Sequence, residues 1–214
     1  RGTFIQNSFH GNLGYVGLAV AFYYLGREGL AAAGIVAGFL IILQNLLAVA
    51  VLQLYADQTA AHSGRWSVLW KVAGNPIIIA TLLAIGASLL EIRVPVIIGR
   101  SLDILGGLAL PMALLIIGAS LSFEMIRKNR LQIFAAVIVK LGLLPALGYM
   151  AFRLTETTVS AYLPALILLA SPTATVTYVM ARELHGDAEF AVAAISASTL
   201  LSAVTFVFWL KMAG

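Results

Sequence analysis

Residues 166–183 read LILLASPTATVTYVMARE, an apolar run from Leu166 to Glu183 with Ser171, Pro172, Thr173, Thr175 and Thr177 packed into its centre. The run is long enough to cross a bilayer. Inside lipid every backbone polar group needs a partner, so a proline with flanking hydroxyls at mid-depth belongs where the helix is buried or lines a cavity. Pro172 has no N–H to donate and frees the carbonyl of Leu168, four residues back. The helix therefore kinks or breaks there. In a break, two half-helix ends meet near the midplane, and the second half points free N–H groups into the gap. A simple proline kink is the plainer alternative, and a second interrupted span elsewhere in the chain argues against it.

Composition sets the environment. Of the 214 residues, 61% are hydrophobic and only 10% charged, with a mean hydropathy of +1.00. Soluble domains carry about 25% charged residues, so this is an all-α integral membrane protein. A span takes roughly 20 residues, which leaves room for about seven transmembrane helices with short loops. The net charge of +4 comes from loop Lys and Arg, and reads as topology rather than nucleic-acid binding. Zero cysteines exclude disulfides and thiolate metal sites. The chain opens with Arg1 and enters an apolar segment within a few residues, without a signal-peptide pattern. That start reads as a fragment lacking an N-terminal part.

Span one runs from about Thr3 to Leu25, and its middle is HGNLGYVG, with Gly11, Gly14 and Gly17 around Asn12. Each glycine weakens a helix by about 1 kcal/mol relative to alanine, which makes this the second candidate break. Close helix–helix contact through small residues is the alternative. Span two, Leu30 to Tyr55, carries Gln44 and Asn45 at mid-depth, where amides hydrogen-bond across helices. Asp57 to Lys71 is the longest polar loop, and Trp66 and Trp70 at its end share one face of a short interfacial helix. Span three covers about Asn75 to Leu90. Span four, Pro95 to Leu121, is interrupted by Gly106-Gly107 and Pro111. Span five is about Leu131 to Phe152, with Lys140 in its middle; span six is the opening stretch. After the charged turn RELHGDAE, span seven runs from about Phe190 to Leu210, with a polar face of Ser196, Ser198, Thr199 and Ser202. Trp209 and Lys211 are expected to close it at a membrane interface.

Two broken spans, each followed by an unbroken one, imply a repeat. Residues 75–214 form a complete five-helix unit, residues 1–56 supply the last two helices of an earlier copy, and residues 57–74 are the connector with its interfacial helix. Five is odd, so successive copies insert with opposite orientation, the inverted-repeat design of secondary transporters, with substrate held where the broken helices cross. If the spans alternate, one side carries Arg1, Arg65, Lys71, Arg127, Lys128, Arg130 and Arg182. The other carries Arg27, Arg93, Arg153 and Lys211, with Arg100 just inside. The richer side is cytoplasmic, so the C-terminus lies outside and the connector inside.

Lys140 is the sharpest single signal. It lies about ten residues, roughly 15 Å, from either end of its span, too far for its side chain to reach a surface. A central lysine is unfavourable by about 2.5 to 3.5 kcal/mol on insertion scales, so it faces the bundle interior or a water-filled cavity. It can attract an anionic substrate, or it can bond helix-end carbonyls in a structural role. His10, His62 and His185 are isolated and give no metal-ligand spacing. No Walker loop, no G-x-S-x-G and no dinucleotide fingerprint occurs. The sequence thus points to neither an enzyme nor an ATP-driven pump.

GNLGYVG (11–17), GNPIIIA (74–80), LALPMALLIIGASLS (108–122), VKLGLLPALG (139–148) and ASPTATVTYVMARE with HGDAE (170–189) together resemble the auxin efflux carrier family of permeases. Bacterial members of that family are described as malonate, malate or related organic-anion transporters. The resemblance implies ten helices in two inverted five-helix repeats, with crossovers in helices four and nine. This chain would then supply helices four to ten, with three more preceding it in the family. The family's loop after helix five is cytoplasmic, in line with the charge count. Members often carry a proline just after the glycines of the first crossover, where this chain has Leu18-Ala19. That departure bears on how sharp the first break is.

The resulting expectation is a permease for small organic anions, embedded in the bacterial inner membrane and working by alternating access. Asn12 and the break at Ser171, Pro172 and Thr173 form the crossover site, Lys140 supplies positive charge, and Asn45 adds a polar contact. Helix N-termini favour carboxylates. No cofactor is expected, and the coupling ion, proton or sodium, stays open; a homodimer is among the assemblies such a permease could form. A sodium-coupled symporter of the bile-acid type, with a related fold, is one alternative. A seven-helix receptor or photoprotein is another, though a retinal protein needs its lysine deep in the last helix, and here that helix has only Lys211 at its edge. The topology is testable because the chain has no cysteine of its own. A cysteine at Ser63 should resist membrane-impermeant thiol reagents in intact cells while one at Thr157 reacts; the opposite pattern would invert the orientation.

Overall fold

A computed structural model describes residues 1–55, 79, 83, 86–87, 89–92, 94–119 and 130–214. The polar loop from Asp57 to Lys71, the interfacial helix of Trp66 and Trp70, most of span three and the basic stretch 124–129 therefore lie outside the described residues. Among those described, every regular element is helical. α1 spans Gly2–Phe9 and leads, past a break, into a π-helical turn at Leu13–Gly17 and then α2, Leu18–Leu54. α3 is Val96–Ala119; α4, Arg130–Ile138, passes through a second π-turn at Val139–Leu143 into α5, Leu144–Leu154. α6 is Val159–Leu169, α7 Val176–Glu183 and α8 Ala188–Ala213.

Among the described residues three runs, Leu13–Leu54, Arg130–Leu154 and Ala188–Ala213, are long and apolar enough to cross a membrane. The first is not one rod. Gly26 sits inside it with φ 73° and ψ −162°, a left-handed conformation that glycine alone adopts freely, so the helix of span one ends there and that of span two begins. Large apolar side chains cover the outside of the bundle: Phe39, Ile97, Leu131 and Val204 are each more than two-thirds exposed. A water-soluble fold buries such groups; a lipid-facing one does not need to.

Small residues let the inner helices approach. α8 buries Ala191, Ala193, Ala194, Ser196, Ala197 and Ser198 against α1, α4 and α7. This is the close packing of small residues that membrane helices use in place of a hydrophobic driving force. α2 lies along α6, burying Ala21, Ala33 and Ala37 together with Leu163, Leu166 and Ile167. A second cluster joins Ile133, Val137 and Leu141 to Phe190 and Ala194.

Two expectations need correction. α3 runs helical through Gly106-Gly107 and Pro111, so span four is continuous rather than interrupted. Glycine lowers helix propensity only modestly, and a proline can be carried within a membrane helix once neighbouring groups take up what it frees. Trp209 is not an interfacial anchor. It is 5% exposed, and its indole Nε1 donates to the carbonyl of Leu141 at 2.8 Å. The reason lies four residues beyond Leu141: Pro145 has no N–H to give it. Tyr162 ties the same end of α8, its hydroxyl donating to the carbonyl of Ala213 at 3.2 Å.

Trp209→Phe keeps most of the apolar volume and leaves the Leu141 carbonyl without its donor. It should lower stability by about 1 to 3 kcal/mol, read as a fall in melting temperature of the detergent-solubilised protein. An unchanged melt would mean that this carbonyl does not depend on the indole.

Candidate functional site

Both interrupted spans are true breaks, and they meet. α1 ends at Phe9, and His10 is extended with ψ 97°. On the other side α6 ends at Leu169 and α7 resumes at Val176. Between them Gly11 and Thr173 pair as a single antiparallel bridge: Asn12 N–H donates to the carbonyl of Pro172 at 2.7 Å, and Ala174 N–H to that of His10 at 3.0 Å. The absence of a proline after the glycines does not soften the first break.

Side chains take up the remaining backbone groups. Thr173 Oγ1 donates to the carbonyl of Asn7 at 3.0 Å, while Thr173 N–H donates to Ser198 Oγ of α8 at 3.0 Å. Gln44 Nε2 reaches the carbonyl of Phe9 at 3.4 Å. The Leu168 carbonyl that Pro172 frees accepts instead from Ser171 N–H at 3.2 Å, in a tighter turn. Asn7 is fixed in turn: its Nδ2 donates to the carbonyl of Thr3, and its Oδ1 accepts from Thr177 Oγ1. These bonds supply partners of the kind that a helix end in lipid demands.

Lys140 stands behind this crossing. It is completely buried, carried on the second π-turn, a widened turn of the kind that recurs at functional positions. Its Nζ donates to the carbonyl of Leu169 at 2.8 Å, which has lost its usual partner because Thr173 N–H is bonded to Ser198. Nζ also lies 3.2 Å from where a Cβ on Gly11 would be. The ammonium thus touches both broken segments, and among the described residues no carboxylate partners it.

The break opens onto a cavity of about 660 Å³. Its lining includes the polar residues His10, Asn12, Tyr15, Tyr23, Gln44, Asn45 and Thr175, with Gly106 and Gly107 of α3 on another wall. Four polar atoms of these lining residues are fully buried and have no hydrogen-bond partner within the protein: His10 Nδ1, Asn12 Nδ2, Gln44 Oε1 and Asn45 Oδ1. Of the residues expected from sequence, Asn12 and Asn45 face the cavity, while Lys140, Ser171, Pro172 and Thr173 form the layer behind it. His10 and Gln44 join them. Their signal in the sequence was only that polar groups at mid-span need a reason.

The glycines of span one divide by role. A Cβ at Gly17 would lie 2.7 Å from Ser171 Oγ and 2.9 Å from Leu168 Cδ2, whereas one at Gly14 meets nothing within 4 Å. Helix breaking and close packing are therefore both present, at different positions. Gly17→Ala should force the two segments apart and destabilise the fold by about 1 to 3 kcal/mol. Gly14→Ala should leave the stability, followed by thermal melting, within about 1 kcal/mol of the parent, and equal effects at both positions would refute the assignment.

A family model described as "Membrane transport protein" matches residues 50–210. The chain is 28% identical over 202 residues to the "Putative malonate transporter" of Rhizobium meliloti (strain 1021). That alignment covers 92% of this chain and 62% of the relative, so the chain spans about three fifths of that protein's length. No solved structure matches the chain.

Proposed function

Because the chain belongs to the membrane transport protein family, that of the auxin efflux carriers, we propose that it forms the crossover site of a secondary permease for small organic anions. One observation carries this reading: two broken helices cross at the Gly11–Thr173 bridge, beside a cavity lined by polar residues of both segments, His10 and Asn12 from one and Thr175 from the other. Crossed breaks of this kind hold substrate in inverted-repeat transporters. The relative's printed name, a malonate transporter, supports a carboxylate as cargo. Residues 75–214 act as the complete repeat and residues 1–56 as the end of its inverted counterpart, giving seven helices with the C-terminus outside the inner membrane.

Each expected residue has a part in this reading. Asn12 and Asn45 contact the anion from the cavity wall. Ser171, Pro172 and Thr173 hold the second break open behind them. Lys140 contributes charge through the thin layer that Gly11 provides, since Coulomb attraction in so dry a region is weakly screened. Alternating access follows if the two repeats rock about the crossing while the cavity opens to one side and then the other.

Uptake of labelled malonate into proteoliposomes holding the whole protein tests the reading, and absence of any anion uptake would refute it. Lys140→Met removes the charge at similar length. Its loss leaves the Leu169 carbonyl unsatisfied, so stability should fall by about 1 to 3 kcal/mol. Anion affinity of the folded fraction should fall as well, by about tenfold or more. Normal affinity in a less stable protein would reduce Lys140 to a strut.

A further inference from the structure

Three other prolines sit inside helices of this molecule without ending them. α3 runs through Pro111, α6 through Pro164, and the run from α4 to α5 through Pro145. Pro172 is the one of these four at which the helix stops, so a missing N–H is not by itself the cause.

Three consecutive rungs of the helical ladder are lost at the break, each in its own way. Pro172 has no N–H to donate to Leu168. Ala174 N–H, whose helical acceptor would be Ala170, is spent on the carbonyl of His10 across the bridge. The rung between them would join Thr173 N–H to the carbonyl of Leu169, and side chains from two other places hold both of its ends. Ser198 Oγ of α8 accepts from Thr173 N–H at 3.0 Å, and Lys140 Nζ of the second π-turn donates to the Leu169 carbonyl at 2.8 Å. Both side chains are fully buried. The Ser198 hydroxyl spends its proton on the carbonyl of Ile195 at 3.1 Å, which turns a lone pair toward Thr173. A proline kink costs a helix the rung at the proline, and the ladder can resume on the next. Here the next rung is withheld from both sides.

We infer that Ser198 and Lys140 form one clamp, two positioning residues that turn a proline kink into an open break by keeping Thr173 N–H and the Leu169 carbonyl apart. The clamp touches no substrate. It acts through the backbone around Thr173, from which Pro172 and Ala174 make the bonds to Asn12 and His10. The two side chains are coupled through the bond they prevent. Losing either strands one backbone group, because the other end of the rung is still held. Losing both frees donor and acceptor together, and they pair.

A double-mutant cycle on the whole protein tests this. It needs no cargo, so the clamp and the anion reading can fail independently. Ser198→Ala and Lys140→Met should each lower the melting temperature by about 3 to 10 °C. The double variant should melt no lower than the less stable single. A fall equal to the sum of the two, or a double variant that does not fold where both singles do, would overturn the clamp. Spin labels on cysteines introduced at Ser160 and Glu183, both exposed, report the break itself. In each single variant their separation should match the parent's. In the double variant Pro172 to Ala174 wind from an extended path of about 3.3 Å per residue to a helical 1.5 Å, changing the separation by about 5 Å. An unchanged separation in the double variant would overturn the proposal whatever the melts show. Should Lys140→Met not fold, Ser198→Thr and Ser198→Val decide, being alike in shape and different in the hydroxyl. Ser198→Thr should melt several degrees above Ser198→Val, and equal melts would overturn the clamp.

Discussion

Two backbone hydrogen bonds, Asn12 N–H to Pro172 O and Ala174 N–H to His10 O, hold the centre of this molecule. A helix that stops inside a bilayer releases carbonyls and amides that water cannot reach, and each would cost several kcal/mol unpaired. Breaking one helix is therefore expensive, while breaking two at the same depth lets each supply what the other lacks. The hydroxyls of Thr173, Thr177 and Ser198 and the amide of Gln44 complete the exchange. Lys140 closes it from behind by taking the carbonyl of Leu169. Polar residues that looked scattered through apolar spans are in this sense one network.

Much of this was legible because proline and lysine leave few options in lipid. Pro172 removes a donor wherever it stands, and Lys140 lies too deep to reach either surface, so a break and an inward-facing cation followed from single residues. The three glycines of span one could not be sorted in advance. Whether a glycine marks a bend or a contact depends on what passes beside it, and Ser171, which passes beside Gly17, is more than 150 residues away in the chain. Gln44 and Asn45 were visible as mid-span amides, but which end of each is engaged depends on the carbonyls of Phe9 and Ile41. No spacing encodes that. Trp209 was misread because a tryptophan near a helix end usually marks a membrane interface; the clue to its partner was Pro145, on a different helix.

The two proline-linked sites answer the same problem differently. At Pro172 the helix opens, and the freed groups are shared with another broken segment. At Pro145 the helix continues, and one indole from α8 supplies the missing donor. An external donor preserves the rod; pairing two gaps creates a crossing, and only a crossing leaves a cavity with polar walls. Ser198 serves that crossing from α8, so the hydroxyls of the last helix support the break as well as pack the bundle.

The bridge between Gly11 and Thr173 is one residue long on each side, which gives it a mechanical meaning. Helices packed along their lengths resist relative rotation because many side chains must unlock together. Segments joined at a point behave more like levers on a pin. Here both cases occur: the breaks pair at a single point, while beyond it α2 lies along α6, so those two helices turn about the pin together. α6, with 11 residues, gives that joint arm a length of about 16 Å at 1.5 Å per residue. A turn of about 10° at the pin would swing its far end by roughly 3 Å, about the width of a water molecule, while the two bonds at the pin barely lengthen.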